Sequence, residues 1–144
     1  DLQINFISLV KVIQAVLPNL TAGEQSSIVL FSSVAASMGM PFHTSVAAAK
    51  GAIEGFAKAL AAEYAPKIRV NVIAPSLTDT PLADKFLNNE TKQEKSAERH
   101  PLKRFGKPED SAQMASFLLS DKSSWISGQI FHVDGGMSTL LVNG

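Results

Sequence analysis

The sequence predicts an α/β fold in which a parallel sheet is flanked by crossover helices. Three short apolar segments, each closed by a turn signal or a proline, alternate with segments whose apolar residues recur at helical spacing. An alternation of helix and strand along the chain is typical of parallel sheets. The chain has 144 residues, 45% of them hydrophobic, which suffices for one buried core.

The first half of the chain predicts two helices and two strands. Leu2–Leu17 has apolar residues at helical spacing, and Pro18 is expected to end that helix. Ser27–Phe31 is a short apolar run of the kind that forms strands buried on both faces. Thr44–Tyr64 predicts a long Ala-rich helix, and Ile68–Ala74 predicts the second strand.

The second half begins with the most polar stretch of the chain. Asp84–Lys107 mixes both charges and indicates an exposed lid or loop that can include a short helix. Glu109–Ser120 then predicts a helix, and Gln129–Val133 predicts the third strand, which Asp134-Gly135-Gly136 ends.

Charge and composition exclude several classes of function. Thirteen basic residues balance thirteen acidic ones, which argues against nucleic acid or an anionic membrane as a partner. The absence of cysteine excludes a disulfide framework and a thiol nucleophile. His43, His100 and His132 are expected to lie far apart, so no metal site is predicted. No uninterrupted apolar run approaches the roughly 18 residues of a membrane span, so a cytoplasmic protein is predicted.

Hydroxyl-bearing residues follow the first two predicted strands. Ser32-Ser33 comes after the first strand, and the segment Pro75–Thr80 comes after the second. Ligands of open parallel sheets bind beyond the carboxyl ends of the strands. A single serine at a strand end usually caps a turn, and two such ends in one sheet favour a ligand crevice only modestly.

Six segments, in this order, resemble the short-chain dehydrogenase/reductase family over essentially the whole chain. They are Gln3-Ile4-Asn5, Ile28–Ser33, Ala47–Ala52, Arg69–Thr80, Arg104–Ser120 and Ile126–Gly136. The resemblance implies the C-terminal part of a doubly wound, Rossmann-type parallel sheet. It also implies an oxidoreductase that transfers hydride between NAD or NADP and a small-molecule carbonyl/alcohol pair, working as a homo-oligomeric dimer or tetramer.

The resemblance also implies roles for individual residues. Ser33 would hydrogen-bond the substrate oxygen, Lys50 would hold the nicotinamide ribose, and Asn5 would hold a water in the proton relay. In the family this lysine also lies beside a tyrosine, and its ammonium group lowers the pKa of the tyrosine phenol because it stabilises the phenolate. Contacts to the cofactor would come from Lys50 and from the residues Pro75, Ser76, Thr78 and Thr80.

The chain departs from the family at the proton donor. Val46 stands where the family has a tyrosine, four residues before Lys50. Tyr64 lies 14 residues after Lys50, roughly 21 Å along a helix axis, too far to replace it. His43 precedes Lys50 by seven residues, the tyrosine spacing of related enoyl-acyl carrier protein reductases. His43 is therefore either a substitute for the phenol or a loop residue that faces solvent. Ser76 stands where the family usually has glycine.

The Gly-rich turn that binds a dinucleotide is not found in this sequence. None of its nine glycines forms that fingerprint between a strand and a helix. We therefore expect residues 1–144 to be a partial domain that lacks the N-terminal half and is inactive alone. Two classes of function stay open: an oxidoreductase, or a non-catalytic pseudoenzyme that forms oligomers. The small residues of Thr44–Tyr64 fit either packing within the chain or a subunit interface.

Overall fold

The computed structural model of the chain describes residues 1–142 and contains a three-stranded parallel sheet. The strands lie in the order β1 (Ser26–Phe31), β2 (Ile68–Pro75) and β3 (Ile130–Val133). The helices are a π-helical turn, Gln3–Ile7, that continues into α1 (Ser8–Ala22), then α2 (Thr44–Tyr64), α3 (Asp84–Leu87), α4 (Glu90–Arg99) and α5 (Pro108–Leu119). The predicted α/β fold is confirmed.

Helices cover both faces of the central strand, β2. Successive side chains of a strand point to opposite faces, so the contacts of neighbouring residues show what covers each face. Val70 and Val72 face α2 and join one core cluster with Ile53 and Leu60 of that helix. Arg69 directly precedes Val70 and so points to the other face, where its guanidinium reaches the carbonyl of Leu118 in α5. The sheet is therefore wound on both sides, as predicted.

Strand β1 is less buried than the sequence predicts. Only Leu30 is buried along this strand, and Phe31 is 45% exposed. In the described sheet β1 pairs with β2 alone, with Leu30 opposite Val72, so it is an edge strand that its flanking helices cover only in part. Within residues 1–142 β1 is therefore only partly buried, whereas the expectation of burial on both faces describes β2 well.

Helix α1 continues past Pro18, which corrects the expected end at Leu17. A proline inside a helix removes one hydrogen bond and its ring crowds the carbonyl four residues earlier, but its fixed φ is compatible with helix. The hydroxyl of Thr21 donates to the carbonyls of Leu17 and Pro18, both at 3.1 Å, and so supports the last turn.

The N-terminal helix also corrects the expectation about membrane-spanning length. Residues Gln3–Ala22 form one continuous helix that is long and apolar enough, by length and composition, to cross a membrane. Interspersed polar residues such as Lys11 hide this property when only uninterrupted apolar runs are considered. Helices that pack in the core of soluble proteins meet the same criterion.

The polar stretch after β2 is more helical than the sequence indicates. It forms α3 and α4, and the side chain of Asn89 caps α4 by accepting the N–H of Lys92 at 2.9 Å. Leu87 and His100 are buried. The stretch is therefore an exposed lid, as predicted, but it contains two helices and is anchored by buried side chains.

Two polar residues of β2 hold the segment that follows α5. The guanidinium of Arg69 donates to the carbonyls of Leu118, Ser120 and Ser123 at 2.9–3.1 Å. The side chain of the fully buried Asn71 donates to the carbonyl of Ile126 at 3.0 Å. These bonds tie the end of α5 and the segment after it to the central strand.

Candidate active site

A cavity of about 430 Å³ lies beyond the carboxyl ends of β1 and β2. Four parts of the chain form its walls: the end of β1, the start of α2, the loop after β2 and the lid. The residues from the first three parts include Ser32, Ser33, His43, Val46, Lys50, Pro75, Ser76, Thr78 and Thr80. The structure therefore brings together seven of the eight residues that the sequence singles out as site residues.

The Ser33 hydroxyl caps a short helix and still has a proton available for a ligand. It precedes the short 3-10 helix Val34–Ala36, and its Oγ accepts the N–H of Ala35 at 3.1 Å. The capping role that serines at strand ends usually have is thus present here. Because Oγ acts as the acceptor in that bond, its own proton is free to be donated into the cavity.

Lys50 turns toward the same end of β1. Its Nζ donates to the carbonyl of Phe31 at 3.2 Å. Partial burial lowers the pKa of Lys50 below its usual 10.5, because desolvation disfavours the charged form. The ammonium and the Ser33 hydroxyl therefore lie along one cavity, beyond one strand end.

A hydrogen bond that the sequence analysis missed fixes α2 against β1. The hydroxyl of the buried Ser32 donates to Oε1 of Glu54 at 2.7 Å. Glu54 lies four residues after Lys50 and so on the same face of α2, which is the one signal in the sequence that could have found it. This bond holds the Lys50 turn beside the end of β1.

His43 lines the cavity and is half-buried, so it is not a loop residue turned wholly to solvent. It is the N-cap residue of α2, with φ −116° and ψ 17°, and is not itself helical. Its Nδ1 lies 2.7 Å from the carbonyl of Pro41, which can only accept a hydrogen bond. Nδ1 therefore carries the proton in the neutral ring, and Nε2 is left as an acceptor.

The loop after β2 is tied to its surroundings. Thr78 donates through Oγ1 to the carbonyl of Ser76 at 3.0 Å, and Thr78 pairs with Gly106 in an isolated bridge. The Ser76 hydroxyl lies 2.7 Å from Nε2 of His100, whose Nδ1 lies 2.7 Å from the carbonyl of Ser96. The hydroxyl at the usual glycine position is thus bonded to a buried histidine of the lid.

Asn5 is the site residue that the structure does not bring to the cavity. It lies in the π-helical turn, and its side-chain amide donates to the carbonyl of Asp1 at 3.1 Å. That turn packs against α2 through an edge-to-face contact of Phe6 and Phe56, whose ring centroids are 5.7 Å apart. The role that the resemblance implies for Asn5 stays a prediction.

A second, more polar cavity of about 370 Å³ lies beyond β3. His100 and His132, which were expected to lie far apart, both line it. Among residues 1–142 no group of three or more histidine, aspartate or glutamate side chains is placed to hold a metal ion. At its rim Arg104 forms a 2.7 Å ion pair with Asp110, and this hydrogen bond lowers the pKa of Asp110 to about 2.

Residues 1–138 match the family model described as Enoyl-(Acyl carrier protein) reductase. A 3-oxoacyl-acyl-carrier-protein reductase of Thermotoga maritima is 40% identical over 137 residues, which cover 94% of this chain and 55% of that protein. An inactive 2-(S)-hydroxypropyl-CoM dehydrogenase 2 of Xanthobacter autotrophicus is 39% identical over 132 residues, covering 88% of this chain and 57% of that protein.

The fold is also shared with solved structures of dehydrogenases. A gluconate 5-dehydrogenase from Burkholderia cenocepacia, solved in complex with NADP and tartrate, superposes with a TM-score of 0.88 and 28% identity. The match covers 95% of this chain and 54% of that one. The chain thus spans about half the length of the relatives it matches, and within that span it belongs to the short-chain dehydrogenase/reductase family.

Proposed function

We propose that the full-length protein is an oxidoreductase that transfers hydride between NAD or NADP and a small-molecule carbonyl/alcohol pair. The observation that carries this proposal is that Ser33, Lys50 and the Pro75–Thr80 loop line one cavity beyond the strand ends. The family supports the class of reaction, and the NADP held by the Burkholderia enzyme supports the class of cofactor. We further propose that residues 1–144 are the C-terminal part of a single domain. The cytoplasmic location stays a prediction.

The cavity suits an anionic dinucleotide. Its ionisable lining residues are Lys50, His43 and Arg99, and no carboxylate side chain is among the described residues that line it. The cofactor, when bound, supplies or receives the hydride at its nicotinamide ring. Lys50 would donate to the ribose, and Thr80 would offer a hydroxyl to the phosphates.

Ser33 and Lys50 would divide the work at the reacting carbonyl. The Ser33 hydroxyl would keep its proton and donate a hydrogen bond to the substrate oxygen, which gains negative charge as hydride arrives. The proton that completes reduction would reach that oxygen from solvent through His43. The Lys50 ammonium adds a positive charge beside that oxygen in a partly desolvated site, where charges interact more strongly than in water. Absorbance of the reduced cofactor, followed while full-length protein acts on a panel of ketones, tests this proposal. Consumption of the reduced cofactor that depends on an added ketone supports the proposal. If no ketone of the panel causes consumption, the proposal is contradicted.

A pseudoenzyme of the same fold is the competing proposal, and Val46 is the observation that favours it. Val46 lines the cavity and carries no proton to transfer. The Xanthobacter relative, whose name describes it as inactive, is 39% identical. Retained Ser33 and Lys50 favour the enzyme, because a protein that binds no nicotinamide has no evident need for a partly buried ammonium in this cavity.

His43 is expected to take the proton of the alcohol during oxidation. Its Nδ1–H is occupied by the carbonyl of Pro41, so Nε2 offers a lone pair to the alcohol proton, directly or through one water. We expect His43→Ala to lower kcat for alcohol oxidation by about tenfold. Ser45→Ala, at an exposed position outside the cavity lining, is the matched control. If His43→Ala oxidises the alcohol at the wild-type rate, the proton leaves to solvent by another path.

We also propose that α1 and α2 form a subunit interface in a homo-oligomer. Val12 and Val16 of α1 are exposed, and a side chain added at Gly51 or Gly55 of α2 would meet no atom within 4 Å. A charged side chain in a tightly packed interface cannot be accommodated without loss of association. Light scattering should therefore give an oligomer for the wild type and a monomer for Gly55→Glu. Gly39→Glu, at an equally open loop position, should stay oligomeric, and an unchanged mass for Gly55→Glu would contradict this interface.

A further inference from the structure

We propose that the substrate carries an anionic group, such as a carboxylate, separated by an apolar segment from the reacting carbonyl, and that Arg99 binds this group. The inference rests on the proposed function and names the substrate class for that same cavity. It comes from three features of the lid side of the cavity: a cation, an apolar wall, and a buried anchor.

The cation is the guanidinium of Arg99. Arg99 lines the cavity together with Lys50, and the described lining contains no acidic side chain. Lys50 already donates to the carbonyl of Phe31, whereas among residues 1–142 the side chain of Arg99 makes no hydrogen bond or ion pair. Guanidinium binds carboxylates and phosphates through two parallel hydrogen bonds, so an unpaired arginine at a cavity without acids favours an anionic ligand.

The apolar wall lies on the lid, on the short helical turn Pro81–Ala83 before it, and on the loop before α2. Leu82, Phe86 and Met40 line the cavity, and Leu82 is 90% exposed to solvent. An apolar segment of the substrate would remove these side chains from water, which is favourable in proportion to the area covered. The wall therefore suits the part of the substrate that joins the carbonyl to the anionic group.

The anchor is the histidine that follows Arg99. His100 is buried, and its two ring nitrogens lie 2.7 Å from the carbonyl of Ser96 and 2.7 Å from the hydroxyl of Ser76. The end of α4 is thereby fixed to the loop that is proposed to contact the cofactor. Although the Arg99 side chain is exposed, its backbone is held at a defined place relative to the reacting end of the cavity.

Arg99 also has a structural role that the test must separate from binding. It is the last residue of α4, where a cation complements the helix dipole. A purely structural role would alter stability and would affect all substrates alike. Only a role in binding the anionic group would change how strongly the protein prefers an acid over its neutral ester.

The test uses the full-length protein with NADPH or NADH, and aliphatic keto acids of increasing chain length beside their methyl esters. We expect a kcat/KM for the best keto acid that is at least tenfold above that of its ester. Arg99→Gln should remove this preference, mainly through KM, and leave the ester unchanged, whereas Arg99→Lys should keep part of it. Lys95→Gln, an exposed lysine of the same helix outside the cavity lining, should match the wild type.

The outcomes distinguish this inference from the proposed function. Reduction of acids and esters at equal rates, or an equal loss for both in Arg99→Gln, overturns the role of Arg99 and leaves the oxidoreductase standing. If no ketone is reduced, the proposed function fails, and calorimetric binding of the same acids and esters decides the inference alone. Acid binding that Arg99→Gln abolishes then supports it, and acid binding that is absent or unaffected by the substitution overturns it.

Discussion

Replacing Lys50 by methionine is expected to reduce kcat/KM of the full-length protein by about a hundredfold or more, the range for removing a group that acts on the transition state. Methionine keeps much of the apolar stem and removes the ammonium that would hold the ribose and face the reacting oxygen. Lys58→Met, at an exposed position on the same helix, is the matched control and should retain wild-type turnover. Wild-type kcat/KM in Lys50→Met would exclude Lys50 from the chemistry.

The same substitution should not weaken the fold. Burial lowers the pKa of Lys50, so the folded chain binds this proton less tightly than the unfolded chain does. The cost of the buried charge is fully present at neutral pH and is relieved as the pH rises from the lowered pKa toward 10.5. We therefore expect Lys50→Met to be at least as stable as the wild type at neutral pH in urea denaturation, with the wild type gaining relative stability toward alkaline pH. Loss of both turnover and stability would instead indicate a structural lysine.

Replacing Arg69 by methionine is expected to lower the free energy of unfolding by about 2–3 kcal/mol, because the carbonyls of Leu118, Ser120 and Ser123 each lose a charge-assisted hydrogen bond at once. The guanidinium holds the carbonyls of Leu118, Ser120 and Ser123, together with the Ser123 hydroxyl at 2.8 Å. Methionine fills similar space but donates no hydrogen bond. Urea denaturation of the full-length protein measures the difference.

Arg104→Met is the matched control for Arg69, since Arg104 pairs with Asp110 at the surface. Its guanidinium makes two bonds to that carboxylate at 2.7 and 2.9 Å, in a position that water screens. The denaturation midpoint of this variant should stay close to that of the wild type. Equal losses in the two variants would contradict the structural role assigned to Arg69.

The sequence predicts the elements whose pattern is local and strong. The bounds of α2 agree with the structure, and the three strands differ from their predicted bounds by a residue at one end. The errors arise where tertiary surroundings decide. Pro18 is tolerated because the surrounding turns keep their hydrogen bonds, and β1 is partly exposed because it is an edge strand. The lid is helical because Leu87 and His100 find buried contacts that no local pattern reveals.

The candidate site also contains features that the sequence predicts and features that only tertiary packing decides. Ser33 and the Pro75–Thr80 loop follow strands, so the parallel sheet alone places them at one edge, and Lys50 reaches that edge from α2. The bond between Ser32 and Glu54 joins residues 22 positions apart in sequence, and the bond between Ser76 and His100 joins residues 24 positions apart. Neither pairing has a spacing rule in the sequence, because each depends on how α2 or the lid packs on the sheet. For the same reason Arg99 was not singled out.

The decisive measurement is a calorimetric titration of the full-length protein with NADPH and with NADH. It asks whether the cavity of Ser33 and Lys50 belongs to a nicotinamide site. We expect at least one of the two cofactors to bind saturably. We also expect binding to be about tenfold weaker in Lys50→Met, because one charge-assisted hydrogen bond to the ribose is lost. Unaltered binding in Lys50→Met would remove Lys50 from the cofactor site. No saturable binding of either cofactor to the wild type would contradict a nicotinamide site and favour the pseudoenzyme.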